Sequence, residues 1–340
     1  MSRVITLIFS LFPKYPSFQL FVALSLAMFL CILTTPYLIR FFKKRNIGQI
    51  VRTDGPEPHL KKQGTPTMGG ITIILSAVFA WAVVSVTRGF SVRGLLILGL
   101  IVACGLIGLV DDYLKTARRR SLGLKARHKL ILQLFVSLIF SYVAINYAGL
   151  PTYVELPLTG YVIELGMFYP LFVYLIIAAT TNTVNLTDGL DGLAAGTVAI
   201  ASAALAAIAF REKMPDVAFF AAAIAGSAAG FLWWNANPAR IFMGDTGSLS
   251  LGGAIAAISI LTKTELFLPL IGGIFVIEGL SVILQVLSFR LFKKRIFKMA
   301  PIHHHFEMLG WSETQTMIRF WILAGFLAGL GFALFFTGGL

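Results

Sequence analysis

The sequence predicts an all-α, polytopic integral membrane protein. Of its 340 residues, 57% are hydrophobic and only 13% are charged, whereas soluble domains contain about 25% charged residues. Apolar stretches of roughly 20 residues, the length that a helix needs to span a bilayer, recur about ten times. We expect one transmembrane domain over residues 1–340, with a short hairpin in the loop at 150–165. The expected spans are 18–42, 70–87, 93–110, 129–148, 166–182, 190–210, 216–234, 247–262, 266–289 and 316–338.

The basic residues predict how the spans are oriented. Most of the 28 lysines and arginines lie before span 2, between spans 3 and 4, and before span 10. Because loops rich in lysine and arginine face the cytoplasm, we assign these loops to that side and both termini to the external, periplasmic side. The net charge of +13 is then a consequence of membrane orientation, and we expect no nucleic-acid partner.

The loop near residues 43–70 is the first candidate for chemistry. Lys61 and Lys62 precede the turn Gly64-Thr-Pro-Thr-Met-Gly-Gly70, which leads into span 2. Free backbone N–H groups and the helix dipole make such a helix start favourable for an anion. The alternative is an ordinary turn that begins with proline.

Span 3 ends at two adjacent carboxylates, Asp111 and Asp112, in a loop that extends to Lys129 and carries arginines at 118–120. Ionisable groups at a membrane helix are costly and usually functional, and carboxylate oxygens can hold a divalent cation. Taken alone, the two acids are explained by a hydrated helix end, and the basic segment by an anchor to anionic headgroups. Beside two acids, however, the same basic residues suit phosphates.

The stretch 182–192 joins spans 5 and 6 and carries Asn182, Asn185, Asp188 and Asp191. Their three-residue spacing drifts by about 60° per step around a helix of 3.6 residues per turn, so one unbroken helix cannot aim all four at one point. We therefore expect span 5 to end near Asn185, span 6 to start near Asp188, and the four groups to cluster. The alternative is that they cap the helix ends.

Asp245 lies in the loop at 235–248, within Phe242-Met-Gly-Asp-Thr-Gly247, where span 8 begins. As a helix cap it would be ordinary. The predicted topology, however, returns it to the cytoplasmic face that already holds the acids of spans 3, 5 and 6. Five carboxylates are thus expected where helices meet the cytosol.

Two further features lie near the end of the chain. Glu278 is the acid expected well inside a span, where it indicates either a proton-coupled transporter or a structural pair within the bundle. The loop at 290–315 carries His303, His304 and His305. Adjacent side chains on a helix diverge by about 100°, so we favour binding or proton transfer by one or two of these histidines over a three-ligand zinc site.

The arrangement of the acids favours an enzyme over a transporter. A transporter needs polar groups near the midplane of the membrane, whereas these acids line one face together with lysines, arginines and glycine-rich turns. Such residues suit phosphoryl transfer, in which a hard cation bridges phosphate oxygens and fixed cations offset charge. We expect one soluble phosphate compound and one lipid as substrates.

Five motifs resemble those of the bacterial phospho-N-acetylmuramoyl-pentapeptide transferases, which belong to the polyprenyl-phosphate N-acetylhexosamine-1-phosphate transferase superfamily. The resemblance runs nearly end to end. The motifs are Gly64-Thr-Pro-Thr-Met-Gly-Gly70, Asp111-Asp112-Tyr113, residues 182–192, Phe242-Met-Gly-Asp-Thr-Gly247 and Met299-Ala-Pro-Ile-His-His-His-Phe-Glu307.

This resemblance implies a Mg²⁺-dependent enzyme of the bacterial inner membrane, usually a homodimer, with its active site on the cytoplasmic face. The implied reaction transfers phospho-MurNAc-pentapeptide from UDP-MurNAc-pentapeptide to undecaprenyl phosphate. Its products are lipid I and UMP, and it is the first membrane step of peptidoglycan synthesis.

The resemblance also implies roles for individual residues. Asp245 becomes the leading Mg²⁺ ligand, and Asp111 and Asp112 become the catalytic pair and further metal ligands. Asp111 would orient or deprotonate the lipid phosphate, or attack as a nucleophile, so single displacement and a two-step route both stay open. His303 is a further catalytic candidate. The implied substrate contacts are Lys62, Thr67, Lys129, Asn182, Asn185, Asp188, Asp191, Asn235, His304 and His305.

Two other functions would share part of these features. A sister enzyme would transfer GlcNAc-1-phosphate, or another UDP-sugar phosphate, to the same lipid and would share the acids. The stretch Pro301-Ile-His-His-His-Phe-Glu307 favours the muramyl substrate. A transporter would instead depend on Glu278 and tolerate the loss of Asp245.

Overall fold

The computed structural model describes residues 14–45, 48, 62–86, 88–117 and 123–337, which are mostly helical. The predictions for Lys61, for residues 118–120 and for the two chain ends lie outside the described residues. The helices are α1 (Pro16–Lys44), α2 (Gly70–Ser85), α3 (Val92–Ala117), α4 (Ala126–Tyr147), α5 (Tyr169–Thr187), α6 (Leu193–Arg211), α7 (Pro215–Asn235), α8 (Gly244–Leu261), α9 (Leu268–Ile271), α10 (Gly273–Phe292), α11 (Ile302–Glu307) and α12 (Glu313–Thr337).

Each predicted span contains a helix. Within the described ranges, nine helices are long and apolar enough to cross a membrane, namely α1, α3 to α8, α10 and α12. The remaining candidate, α2, is apolar but has 16 residues, which is about 24 Å at 1.5 Å per residue and shorter than the hydrocarbon core of about 30 Å. The chain is therefore a polytopic helical membrane protein.

Two helices extend further than the sequence predicts. α3 continues past residue 110 to Ala117, so Asp111, Asp112 and Lys115 lie on one helix. α5 runs to Thr187, two residues past the predicted end near Asn185. The connection between α5 and α6 is therefore the turn 188–192.

The predicted hairpin is confirmed. Strands β1 (Tyr153–Glu155) and β2 (Val162–Glu164) pair antiparallel, with Val154 opposite Ile163. Lys263, which follows α8, donates to Tyr153 O at 2.6 Å. The hairpin therefore docks on the helix ends opposite to those that carry the predicted site.

Helix α8 lies at the centre of the bundle, with 94% of its span buried. Small residues allow this burial, because a Cβ atom on Gly252 would lie 2.5 Å from Thr181 Cα of α5. At its start, a Cβ atom on Gly70 of α2 would lie 2.1 Å from Gly247 Cα. The first turn of α8 is thereby held against α2, and the loops before both helices come together.

Candidate active site

Three carboxylates converge where α3 ends and α8 begins. Asp111 and Asp112 come from α3, Asp245 comes from the first turn of α8, and one oxygen of each lies within 4.8 Å of the other two. The three side chains are buried, with residue exposures of 1%, 4% and 8%. Oxygen ligands of this kind suit a hard divalent cation, so the cluster could hold a metal ion.

Two lysines bridge Asp111 and Asp245. Lys115 Nζ lies 2.7 Å from Asp111 Oδ2 and 2.8 Å from Asp245 Oδ1. Lys129 Nζ, from the first turn of α4, lies 3.1 Å from Asp111 Oδ1 and 2.6 Å from Asp245 Oδ2. Two cations among three buried carboxylates reduce the charge repulsion and leave one net negative charge, which a metal ion could offset.

Asp112 faces the backbone of α8. Its Oδ1 accepts a hydrogen bond from Asp245 N at 3.1 Å, and its Oδ2 accepts from Thr246 N at 2.9 Å and from Thr246 Oγ1 at 2.7 Å. The first N–H groups of a helix have no partner within that helix, and a carboxylate there also matches the positive end of the helix dipole. Asp112 therefore fixes the helix that carries Asp245.

Glycines permit this close approach. Gly244 has φ of +73°, a conformation that favours glycine, and a Cβ atom there would lie 2.7 Å from Asp112 Oδ2 and 3.0 Å from Thr67 Oγ1. A Cβ atom on Gly108 of α3 would lie 2.1 Å from Asp245 O. Thr67 thus lies beside Asp112, at the junction of α3 and α8.

The loop before α2 is paired with the loop before α8. Phe242 N donates to Pro66 O at 2.8 Å, and Gly69 N donates back to Phe242 O at 2.8 Å. Gly70 N donates to Met243 O at 2.9 Å. These backbone bonds hold Thr67 close to the carboxylates.

Asn185 and Asp188 extend the cluster toward α5. Asn185 Nδ2 donates to Asp245 Oδ1 at 3.1 Å and to Ser248 Oγ at 2.8 Å. Asp188 begins the turn 188–192, and its pKa is raised well above the usual range by burial, and then by the negative charges of Asp245 and Asp112. A bound cation nearby would favour its ionised form.

Asp191 belongs to a second cluster. It lies with Lys62, whose Nζ is 2.7 Å from Asp191 Oδ1 and also pairs with Glu313 Oε1 at the start of α12. Asp191 N donates to the same Glu313 oxygen at 2.7 Å, and Asn237 Nδ2 donates to Glu313 Oε2 at 2.9 Å. The expected cluster of four polar groups is therefore wrong, because Asn185 contacts Asp245 whereas Asp191 contacts Lys62 and Glu313. Asp188 lies within range of the charges of both Asp245 and Asp191.

Two predicted substrate contacts, Asn182 and Asn235, join structural elements. Asn182 Nδ2 donates to Gln133 Oε1 at 3.1 Å, which links α5 to α4. Asn235 is buried; its Oδ1 accepts from Gly192 N at 3.1 Å, and its Nδ2 donates to Ile241 O at 2.9 Å. None of these three bonds reaches the carboxylate cluster.

The three histidines have separate partners. His303 is fully buried and lies against Glu278, with Nδ1 3.0 Å from Oε1. His304 Nδ1 lies 2.7 Å from Glu307 Oε2, and His305 Nδ1 accepts a hydrogen bond from Lys298 N at 3.1 Å. The side chains diverge, as their adjacency on a helix requires. Direct substrate contact by His303 is not supported, because its ring is enclosed.

Lys115 and Glu313 are charged residues of these clusters that were not predicted from the sequence. Lys115 lies four residues after Asp111, the spacing at which side chains of opposite charge meet on a helix, so this pair was accessible to sequence reasoning. Glu313 was not, because its partners Lys62 and Asp191 come from two other segments of the chain, far away in sequence.

The chain is similar in sequence to known transferases. The chain matches the model of glycosyl transferase family 4 over residues 94–263 and signature 1 of the phospho-N-acetylmuramoyl-pentapeptide-transferases over residues 62–74. The proteins of that name from Frankia alni and Bacillus licheniformis are 46% and 48% identical to it. The matches cover 93% and 88% of this chain, and 96% and 93% of the relatives.

The chain belongs to the phospho-N-acetylmuramoyl-pentapeptide-transferase family. A relative from Rubrobacter xylanophilus, 45% identical over 94% of this chain and 98% of its own length, bears the same name. The signature segment contains Lys62 and Thr67, and the glycosyl transferase segment contains all three clustered carboxylates. Family membership identifies the chain as a transferase, and the sequence resemblance is confirmed.

Proposed function

We propose that the protein transfers phospho-MurNAc-pentapeptide from UDP-MurNAc-pentapeptide to undecaprenyl phosphate. An oxygen of the lipid phosphate attacks the phosphorus that carries the sugar, and the bond between that phosphorus and the oxygen of UMP breaks. The products are lipid I and UMP. The observation that carries the proposal is the buried cluster of Asp111, Asp112 and Asp245, bridged by two lysines, in a chain of this family.

The proposed metal is Mg²⁺, and Asp245 is its leading ligand. The donor set fits, since Mg²⁺ prefers carboxylate oxygens and is bound through one or two carboxylates plus substrate phosphates. When bound, it would offset the negative charge of the phosphate oxygens. Asp111 is the second candidate ligand, whereas both oxygens of Asp112 accept hydrogen bonds from α8. We therefore assign Asp112 to holding Asp245 in place.

Lys115 and Lys129 are the proposed phosphate contacts. Each lies between two carboxylates, so each can turn toward a phosphate while Asp111 and Asp245 keep another cation. A fixed cation at a transferring phosphoryl group stabilises the transition state. Thr67, beside Asp112, is proposed as a further contact for substrate.

Single displacement is the proposed route. Asp111 Oδ1 accepts a hydrogen bond from Leu124 N at 2.7 Å and lies near Lys129, while Oδ2 lies 2.7 Å from Lys115. A carboxylate whose oxygens are engaged in this way is a weak nucleophile. We propose that Asp111 orients the lipid phosphate, and that this phosphate is the attacking group.

The second cluster is proposed to bind the nucleotide side of the donor. Lys62 supplies the cation there, with Asp191 and Glu313 around it. Asn185 and Asp188 lie between this cluster and Asp245, so a diphosphate between the two clusters would face both. His304 and His305 are proposed to contact substrate at the edge, since both are only partly buried.

We also propose ten spans, with both termini outside and the site on the cytoplasmic face of the bacterial inner membrane. Contacts join the end of α3 to the starts of α4 and α8, and the loop before α2 to the start of α12. With α2 crossing the membrane like its neighbours, these contacts lie on one common face. The site would then draw on the loops near 43–70, 111–129, 182–192, 235–248 and 290–315 of a single domain, and we expect a homodimer.

The testing experiment uses purified protein, Mg²⁺ and undecaprenyl phosphate with either UDP-MurNAc-pentapeptide or UDP-GlcNAc. UMP and the lipid-linked product are both measured. We expect stoichiometric UMP and lipid I from the muramyl donor. Turnover of UDP-GlcNAc alone would instead assign the protein to the sister activity, and the absence of any lipid-linked product would refute phosphoryl transfer to this lipid.

A further inference from the structure

Glu278 and His303 form a buried pair outside the carboxylate cluster. Both residues are 0% exposed, and His303 Nδ1 lies 3.0 Å from Glu278 Oε1. Within the described part of the chain, none of the carboxylate oxygens or ring nitrogens of the two residues has a hydrogen-bond partner, so the 3.0 Å approach to each other is the closest charged contact that either group makes. Helix α10 and the short helix α11 are therefore joined by one isolated polar contact.

An isolated pair of this kind cannot lose one member cheaply. A buried charge that has lost its partner is strongly destabilising, and even a neutral polar group without a hydrogen bond is costly to bury. Each residue therefore holds the other in position. The enclosure of Glu278 also argues against the transporter alternative, in which a membrane carboxylate must open to water on each side in turn.

The other edge of the His303 ring faces the turn 188–192. A Cβ atom on Gly189 would lie 2.3 Å from His303 Nε2, so the ring and the turn are in direct contact. Leu190, the next residue, is buried in an apolar cluster with Ile274 of α10, and Ile302 of α11 packs against this cluster. The turn 188–192 therefore packs against the His303 ring and against apolar side chains of α10 and α11.

This turn carries two residues of the proposed site. Asp188 immediately precedes Gly189 and lies within electrostatic range of the Asp245 carboxylate. Asp191 follows two residues later and pairs with Lys62. A shift of the turn by a fraction of an ångström would therefore change the positions of both acids.

We propose that Glu278 is a positioning residue of the transfer reaction, which acts by holding His303 against the turn 188–192. Neither residue contacts substrate. This inference rests on the proposed function, and it replaces the catalytic role that the sequence suggested for His303. It predicts that Glu278 works only through His303.

The kinetic test compares Glu278→Gln, His303→Gln and the double variant with wild-type protein. Misplacement of site residues by about 1 Å can lower a rate by about 10², and we expect each single variant to lower kcat by roughly 10-fold to 100-fold. Residues that act as one unit show non-additive effects, so the double variant should lose no more than the worse single variant. Multiplied losses would overturn the inference, because Glu278 would then act independently.

Hydrogen exchange supplies a readout that needs no turnover. The amides of residues 188–192 should exchange faster in Glu278→Gln and in Gly189→Ala, which displaces the ring without removing a charge. The control is Glu265→Gln, which removes another buried carboxylate, paired with Lys263 at 3.0 Å near the hairpin. It should leave exchange in the turn and kcat unchanged.

The outcomes separate this inference from the proposed function. If wild-type protein makes no lipid-linked product, the proposed function fails, and the exchange experiment still tests the contact. If wild-type protein is active and the turn exchanges at the wild-type rate in both Glu278→Gln and Gly189→Ala, the positioning role fails. Faster exchange with unchanged kcat would also overturn it, since the turn would then not govern the reaction.

Discussion

Replacing Asp112 with asparagine should loosen the start of α8. The carboxylate accepts hydrogen bonds from Asp245 N, Thr246 N and Thr246 Oγ1 at 2.7–3.1 Å. Asparagine offers one acceptor oxygen and one NH₂ donor, so at least one backbone N–H of α8 would face a donor. A hydrogen bond to a charged group contributes about 1.5–3 kcal/mol, and the lost charge at the helix start adds about 0.3–1 kcal/mol.

The expected cost is therefore about 2–4 kcal/mol in local opening at residues 244–248. Because about 1.4 kcal/mol corresponds to a factor of ten, amide exchange there should rise by roughly 30-fold or more, with a loss of transfer activity. Thr246→Ser, which keeps the hydroxyl, is the matched control and should exchange like wild type. Wild-type exchange in Asp112→Asn would refute the assignment of Asp112 to fixing α8.

Three further predictions concern the clusters. Lys129→Met should lower the rate of lipid I formation by about 10² or more, as expected for a cation at a transferring phosphoryl group. The control Lys125→Met changes an exposed lysine and should retain activity. Equal losses in the two variants would contradict the assignment of Lys129. Chelation with EDTA should abolish turnover and added Mg²⁺ should restore it; full turnover after exhaustive chelation would exclude a required metal. In chelated protein, stability should fall as pH rises through the raised pKa of Asp188, because the unfolded chain releases this proton at a lower pH than the folded protein does. Asp188→Asn should remove that slope in thermal unfolding measurements, and an unchanged slope would assign it to another group.

The convergence of Asp111, Asp112 and Asp245 could be predicted from the sequence. The lengths of the apolar stretches predicted the spans, and the basic loops predicted which side of the membrane each loop faces. Because successive loops lie on alternate sides, the three acids were expected on one face. The different roles of Asp111 and Asp112 could not be predicted. Adjacent residues on a helix point about 100° apart, and only the packing of α8 against α3 decides which of them meets its backbone.

Long-range contacts account for the predictions that were wrong. The spacing in 182–192 led us to expect one cluster of four polar groups, and it did not reveal that Asp191 pairs with Lys62 and Glu313. The histidine triplet marked an unusual loop, yet the burial of His303 depends on α10 and on the contact with Gly189. Such contacts join residues far apart in sequence, so they cannot be predicted from local periodicity.

The most direct test of the account measures Mg²⁺-dependent lipid I formation by wild-type protein and by Asp245→Ala. Glu212→Gln, which changes an exposed acid on the opposite side of the bundle, is the control. Loss of one electrostatic contact to the transition state commonly lowers the rate by about 10² or more, so we expect at least that loss in Asp245→Ala and normal activity in the control. Near-normal Mg²⁺-dependent turnover in Asp245→Ala would contradict a reaction centred on this carboxylate.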